Sequence, residues 1–346
     1  MEIGNFDFSI NTGTFIVAEL SCNHNQDFTT ALQAIKAAKR AGADAIKLQT
    51  FKPEIITLDS DKDDFRIKQG TIWDGTTLFK LYQTAYTPWE WHSKLFSAAL
   101  AEDLICFSSP FDKTAIDFLK DLNTPAYKIA SFEITDIPLI EYAALQGKPM
   151  IISTGIAELE DIVLAVDACR RMGNDQIILL KCTSSYPAPI EEANLIMIKD
   201  LATRFGVLTG LSDHTLGITA PVAAVTLGAR LIEKHFIVDK SLGGPDSSFS
   251  LDESEFTKMV QSVREAEKVS GVVDYNLTDK QRKGREFSRS LYTVEDIRVG
   301  QIFSDFNIRS IRPGYGLHPR FYSDVIGKRA KRDLERGTRL TWDCIE

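Results

Sequence analysis

From Phe15 onward, short apolar runs that end in polar residues alternate with longer stretches whose apolar residues recur every three and four positions. The runs are FIVAELS, DAIKLQT, LICFSSP, AYKIASFE, MIISTG, IILLKCTSSYP, VLTGLSDH and LIEKHF, eight in all. Their length and composition predict strands. Between them TTALQAIKAAKRAGA, DKTAIDFLKDLN, LEDIVLAVDACRRMG, EEANLIMIKDLATRFG and ITAPVAAVTLGA read as helices, several closing on Gly or Asn as helix ends do. Alternating strand and helix means parallel strands, and eight repeats in roughly 240 residues is the size of a closed (β/α)8 TIM barrel. An open doubly wound sheet is the alternative. It would spread the polar strand ends along an edge and normally needs a Gly-rich first turn, which ELSCNHNQ is not. In a barrel those ends converge on one mouth.

Two stretches depart from this rhythm. After Thr50 the chain runs FKPEIITLDSDKDDFRIKQGTIWDGTTLFKLYQTAYTPWEWH before the helix SKLFSAALAEDL, an insertion of roughly forty residues. Its aromatics Trp73, Phe79, Tyr82, Tyr86, Trp89 and Trp91 predict packed order, as a lid over the mouth or as part of a ligand site. The second departure follows the helix DESEFTKMVQSVREAEKVSG. The barrel domain is placed at 1–275, a polar charged linker at 276–290, and a small domain of short strands punctuated by Gly and Pro at 291–346. In that tail Arg309, Arg312 and Arg320 with Gly314 and Gly316 form a basic, glycine-rich loop suited to an acidic ligand or to solvent.

Composition narrows the functions. With 346 residues and 44% apolar content the chain buries a large core, and 40 basic against 48 acidic residues give a net charge of −8. That balance argues against nucleic acid and against anionic membranes as partners. An anionic ligand must then be met by a local cluster of lysines. Five cysteines, widely spaced and without CxxC pairs, predict neither a disulfide frame nor a zinc knuckle and fit a reducing cytoplasm. Neither an export signal nor a membrane span is expected.

The candidate chemistry lies at the strand ends. His214 and His235 close the last two runs, and consecutive parallel strands bring their C-terminal ends together. Glu233 and His235 share one strand face and Lys234 takes the other. The imidazoles with Glu19, Asp213, Glu233 and Asp246 nearby suggest a divalent-ion half of the mouth. Lys47, Lys128 and Lys181 with Ser109, Ser131, Ser153, Thr154, Thr183 and Ser212 suggest a phosphate-holding half. Together they imply a phosphorylated substrate joined to an oxygen-rich partner polarised by the ion. Two rivals remain: a Schiff-base aldolase using Lys128 or Lys181, and a sugar-binding scaffold without catalysis.

Taken in order, AELSCNHNQ, AIKLQT, FSSPFD, YKIAS, ISTG, CTSSYP, GLSDHTLG, LIEKHF and GGPDSSFSL resemble the motifs of the sialic acid synthases. These enzymes condense phosphoenolpyruvate with an N-acetylated aldose. The tail, with IRPGYGL, resembles their closing antifreeze-like (SAF) domain. The resemblance implies Mn2+ or Mg2+ at His214 and His235. It implies a phosphoenolpyruvate site lined by Lys47, Ser109, Lys128, Ser131, Ser153, Thr183 and Ser212. Around the sugar and the reacting carbon it places Glu19, Gln49, Tyr186, Glu233 and Asp246. Arg312 matches an arginine that reaches the sugar site of the partner subunit in a domain-swapped homodimer. Ser184 and Lys181 stand where neuraminate-forming members often carry Asn and His. The stretch GTIWDGTTLFKLYQTAYTPWEWH resembles the branch whose sugar is a 6-deoxy-2,4-diacetamido hexose, with the branches using ManNAc or its diacetamido analogue as alternatives.

Overall fold

The computed structural model describes residues 1–68, 70 and 73–346. All eight predicted strands are present: β1 (Phe15–Glu19), β2 (Ala45–Thr50), β3 (Ile105–Pro110), β4 (Tyr127–Ile129), β5 (Met150–Ser153), β6 (Ile177–Cys182), β7 (Leu208–Asp213) and β8 (Leu231–His235). Each pairs in parallel with the next, and β8 pairs with β1, so the sheet closes into a barrel. The register is direct: Glu233 lies beside Ser212 and Lys234 beside Asp213.

The helices are α1 (Phe28–Arg40), α2 (Trp89–Ala101), α3 (Lys113–Asp121), α4 (Ile137–Ala144), α5 (Leu159–Arg171), α6 (Met197–Phe205), α7 (Thr219–Thr226) and α8 (Glu253–Ser270). Local sequence starts and stops them. Asp112 caps α3, Asp252 and Glu255 form a capping box on α8, and Gly206 ends α6 at φ +66°. Outward strand residues such as Ile16, Ala18, Ile46 and Ile232 pack against α1 and α8. Inward residues fill the barrel: Phe15, Val17, Ala45, Phe107, Ile151, Ile178, Leu180 and Leu231 form one cluster with Ile3 and Phe8 of the N-terminal hairpin. Gly210 sits at the tightest point of this interior, where a Cβ would collide with Leu231 O and Leu180.

The described residues of the insertion after β2 pack through its aromatics, as expected. It carries helices Pro53–Ile56 and Leu78–Ala85. Trp89 stacks on Phe118 at 4.7 Å, Trp91 packs on Phe28 at 5.4 Å, and Tyr82 packs on Phe51 at 5.7 Å. Among the described residues no helix is long and apolar enough to cross a membrane.

The chain divides into two compact units, Met1–Gly271 and Val272–Glu346. In the second, β9 (Ser290–Thr293) and β10 (Ile308–Ile311) pair antiparallel. Leu291, Ile297, Phe303, Ile308, Val325, Leu334 and Leu340 give this unit a core of its own. The stretch expected to be linker is not wholly extended, since Thr278 and Gln281 box the start of a short helix at Asp279–Gly284.

Candidate active site at the barrel mouth

The alternation that points Val17, Phe107, Ile151, Leu180 and Leu231 inward also decides what lies above them. Continuing each strand by two residues turns Glu19, Ser109, Ser153, Cys182 and Glu233 into the mouth, with Lys47, Lys128 and Ser212 completing the layer. A barrel of this kind carries its chemistry at the C-terminal strand ends. Here the top layer is almost wholly polar and is buried.

Its charges interlock. Lys47 Nζ lies 2.7 Å from Glu19 Oε2 and 3.8 Å from Glu233 Oε1, and donates to Ser109 Oγ at 3.2 Å. Lys128 Nζ donates to Ser153 Oγ at 2.6 Å and lies 3.8 Å from the same Glu233 oxygen. Ser212 donates to Glu233 Oε1 at 3.0 Å, and Gln49 Nε2 to Glu19 Oε1 at 2.8 Å. Glu233, facing two ammoniums, is held below the usual carboxylate range although burial opposes this. Glu19 is different: burial, with Glu233 close by, pushes it up to about 7 against the pull of Lys47. Burial also lowers Lys128, whereas the two carboxylates around Lys47 outweigh its burial and keep it protonated.

Beside this cluster stand the two histidines, ring centroids 5.2 Å apart. His214 Nδ1 is 3.0 Å from Thr183 O, and His235 Nδ1 is 3.6 Å from Asp246 Oδ2. A carbonyl behind one imidazole and a carboxylate behind the other is the arrangement that orients metal-ligating histidines and leaves Nε2 for the ion. Burial drives His235 well below its ordinary value and favours its neutral form, whereas at His214 the neighbouring Cys182 and Thr183 O outweigh burial and raise it. Among the described residues no group of three or more His, Cys, Asp or Glu is placed to hold a metal ion, so the two imidazoles are the only nitrogen ligands that this part of the mouth offers one among those residues. Tyr186 covers both rings, at 4.4 Å from His214 and 6.5 Å from His235. Phe249 lies 4.9 Å from His235.

Several expected residues fall elsewhere. Lys181 is on the outward parity of β6, where its Nζ donates to Cys182 O and lies 3.3 Å from Thr183 Oγ1, so it does not join Lys47 and Lys128. Thr183 donates its hydroxyl to Glu192 O and meets the site through its carbonyl alone. Asp213, assigned to the ion half, also faces outward and is paired with the fully buried Lys234 at 2.5 Å. Ser131 accepts from Gly155 N at 3.1 Å at the edge of the mouth, and Thr154 spends its hydroxyl on Leu180 O. Asp246 is fixed by Ser21 and approaches His235. Arg312 belongs to the second unit, directly after β10. The two expected halves of the mouth are one network, because Lys47 and Glu19 pair directly.

Two groups escape the sequence reading. Cys182 takes the inward place on β6, 3.7 Å from His214 Nδ1; burial raises its thiol, but His214 outweighs that and brings it to about 7. Glu133, in the turn after β4, is pushed up to about 7 by burial, and its Oε2 makes no hydrogen bond. Period-two alternation would have found the first.

A closed parallel barrel with this mouth, followed by a separate small β unit, places the chain in a family: it belongs to the NeuB family, whose pattern matches residues 34–275, and a SAF domain matches residues 288–346. The resemblance to sialic acid synthases read from the motifs is thereby shown. Among its relatives the chain is 51% identical to a pseudaminic acid synthase of Campylobacter jejuni, over 98% of both chains. It is 48% identical to a pseudaminic acid synthase of Helicobacter pylori, over 96% of this chain and 97% of that one. A solved structure of a spore coat polysaccharide biosynthesis protein from Bacillus subtilis is similar throughout, with TM-score 0.67, 36% identity, and coverage of 100% of this chain and 99% of that one.

Proposed function

We propose that the chain condenses phosphoenolpyruvate with 2,4-diacetamido-2,4,6-trideoxy-altrose, giving pseudaminic acid and phosphate. The observation that carries this reading is the buried Lys47, Lys128, Glu233 and Glu19 network beside the His214 and His235 pair. The near-complete alignment at about half identity with pseudaminic acid synthases supports the choice of sugar.

Lys47 and Lys128 hold the phosphate and carboxylate of phosphoenolpyruvate, and the Ser109, Ser153 and Ser212 hydroxyls fix its orientation. His214 and His235 hold Mn2+ or Mg2+, which supplies a Lewis acid for the aldehyde oxygen when bound. Glu233 keeps the two ammoniums in place, and Gln49, Tyr186 and Asp246 border the sugar. The enol double bond of phosphoenolpyruvate forms the new carbon–carbon bond from C3 to the aldehyde carbon, leaving a cation at C2. Water adds there and passes a proton to Glu19. Phosphate then departs with the electrons of its C–O bond, and the remaining hydroxyl gives up its proton to the phosphate as it becomes the ketone. The aldehyde oxygen, left as an alkoxide by carbon–carbon bond formation, takes the proton held by Glu19. Glu19 suits this step because a carboxyl near 7 both takes and returns a proton at neutral pH.

We further propose a domain-swapped homodimer in which Arg312 serves the partner's sugar site. Val269, Val272, Val273 and Tyr275 leave 85%, 88%, 90% and 96% of their surface exposed, an apolar run that a second copy would cover. Light scattering that returned a monomer at micromolar concentration would refute this. Five free, buried cysteines support a cytoplasmic setting. The main reading is tested by phosphate release with phosphoenolpyruvate and either the diacetamido sugar or ManNAc. The diacetamido sugar should be strongly preferred; preference for ManNAc would refute the choice of sugar.

A further inference from the structure

The insertion leaves the barrel after β2, and in an eight-strand barrel β6 stands diametrically opposite. Several of its aromatics stay on the near side: Trp89 packs on Phe118, Trp91 on Phe28 and His24, and Tyr82 on Phe51. Trp73 crosses. Its ring centroid is 5.4 Å from Tyr186, in the loop after β6, and its indole N–H donates to Pro245 O, in the loop after β8, at 3.3 Å. Tyr186 in turn lies 4.4 Å from His214. A line of rings therefore runs from the insertion over the mouth to the histidine pair.

We propose that Trp73 roofs the sugar subsite and selects for the deoxygenated end of the acetamido sugar. This rests on the reading above. The indole N–H of the half-buried Trp73 is directed to Pro245 O, so its remaining contribution to the wall beside Tyr186 is apolar ring surface. Tyr186 and Phe249 extend that apolar wall, 5.4 Å apart. A methyl at C6 packs against such a wall without loss. A hydroxymethyl would bring a hydroxyl that loses water there and gains no partner. An apolar wall rejects an added hydroxyl by about 100-fold at most, which sets the ceiling on the discrimination.

The test compares 2,4-diacetamido-2,4,6-trideoxy-altrose with its 6-hydroxy counterpart in the full-length, metal-loaded protein, reading kcat/KM for phosphate release. The parent should favour the deoxy sugar by roughly 10- to 100-fold. In Trp73→Ala that ratio should fall toward one, the loss appearing in KM for the deoxy sugar while KM for phosphoenolpyruvate holds. Trp73→Phe, which keeps an apolar ring, should retain most of the preference. If Trp73→Ala weakens both sugars equally, the residue only braces the insertion and the proposal fails. If the parent turns over neither sugar, the function proposed above is what fails, and the inference with it.

Discussion

Glu19→Gln should change stability in a pH-dependent way that reports the state of the buried carboxyl. Burial, reinforced by Glu233 and opposed by Lys47, moves Glu19 from 4.5 to about 7. The sign follows from linkage. Between those two values the folded protein binds more protons at this site than the unfolded chain, so stability falls as pH rises through the window. Below 4.5 the carboxyl costs nothing, and above 7 the full penalty stands. At 1.36 kcal/mol per unit the penalty is about 3 kcal/mol. Gln cannot titrate, and any fixed difference between an amide and a protonated carboxyl cancels when two pH values are compared. Relative to the parent, the variant should therefore gain about 3 kcal/mol between pH 4.5 and pH 8, which for a barrel of this size is a relative shift of roughly 6–12 °C in Tm. Thermal melts of both proteins at half-unit intervals measure it. A constant gap across the range, or one that moves against the variant, would show that the 2.7 Å contact with Lys47 holds Glu19 ionised. In the parent, kcat/KM should rise through about pH 7 as Glu19 of the free enzyme becomes able to accept the water proton, and the variant should lose that limb along with most activity.

Stripping the protein with chelator should abolish phosphate release, with Mn2+ or Mg2+ restoring it, and His235→Ala should lose ion binding by calorimetry while keeping its fold; full activity in the stripped protein would refute the role given to the histidine pair. On the outer wall, Lys234→Met leaves Asp213 buried without its partner and should cost about 3–5 kcal/mol in denaturant titration, whereas adding Asp213→Leu should recover most of it. A double variant no more stable than the single one would show that the pair does more than satisfy itself.

The barrel is legible in the chain because each strand is a compact apolar run bounded by polar residues, and the helices between them carry apolar faces at helical spacing. Helix α4 is harder to see. It has eight residues, begins Ile-Pro, and depends on Asp136 accepting from Leu139 N for its start. The helix at Asp279–Gly284 hides for a related reason: all six residues are polar or Gly, so nothing apolar repeats, and its capping box is the one signal. The histidine pair is legible because both residues end consecutive parallel strands, where topology alone makes them neighbours. The Trp73 contact is not, since no local pattern tells which far loop a forty-residue insertion will reach.

What misleads at the mouth is reading residue type without parity. Lys181 and Asp213 look like site residues because they are charged and stand at strand ends, yet each is one residue out of phase with the inward positions on its own strand. Phase follows from a single interior anchor: with Leu180 inside, Cys182 must be inside and Lys181 outside, and with Gly210 inside, Ser212 must be inside and Asp213 outside. Applied to all eight strands, this rule leaves Lys47 and Lys128 as the two ammoniums in the layer, against Glu19 and Glu233. An anionic substrate docking there competes with both carboxylates for the same two charges. Glu233 is shared by both lysines and keeps a hydrogen bond from Ser212, whereas Glu19 depends on Lys47 and Gln49. The arriving anion therefore weakens the ammonium hold on both carboxylates, and Glu19, whose single ammonium partner is Lys47, is left with Gln49. The substrate itself thus raises the proton affinity of the carboxyl placed to handle the water.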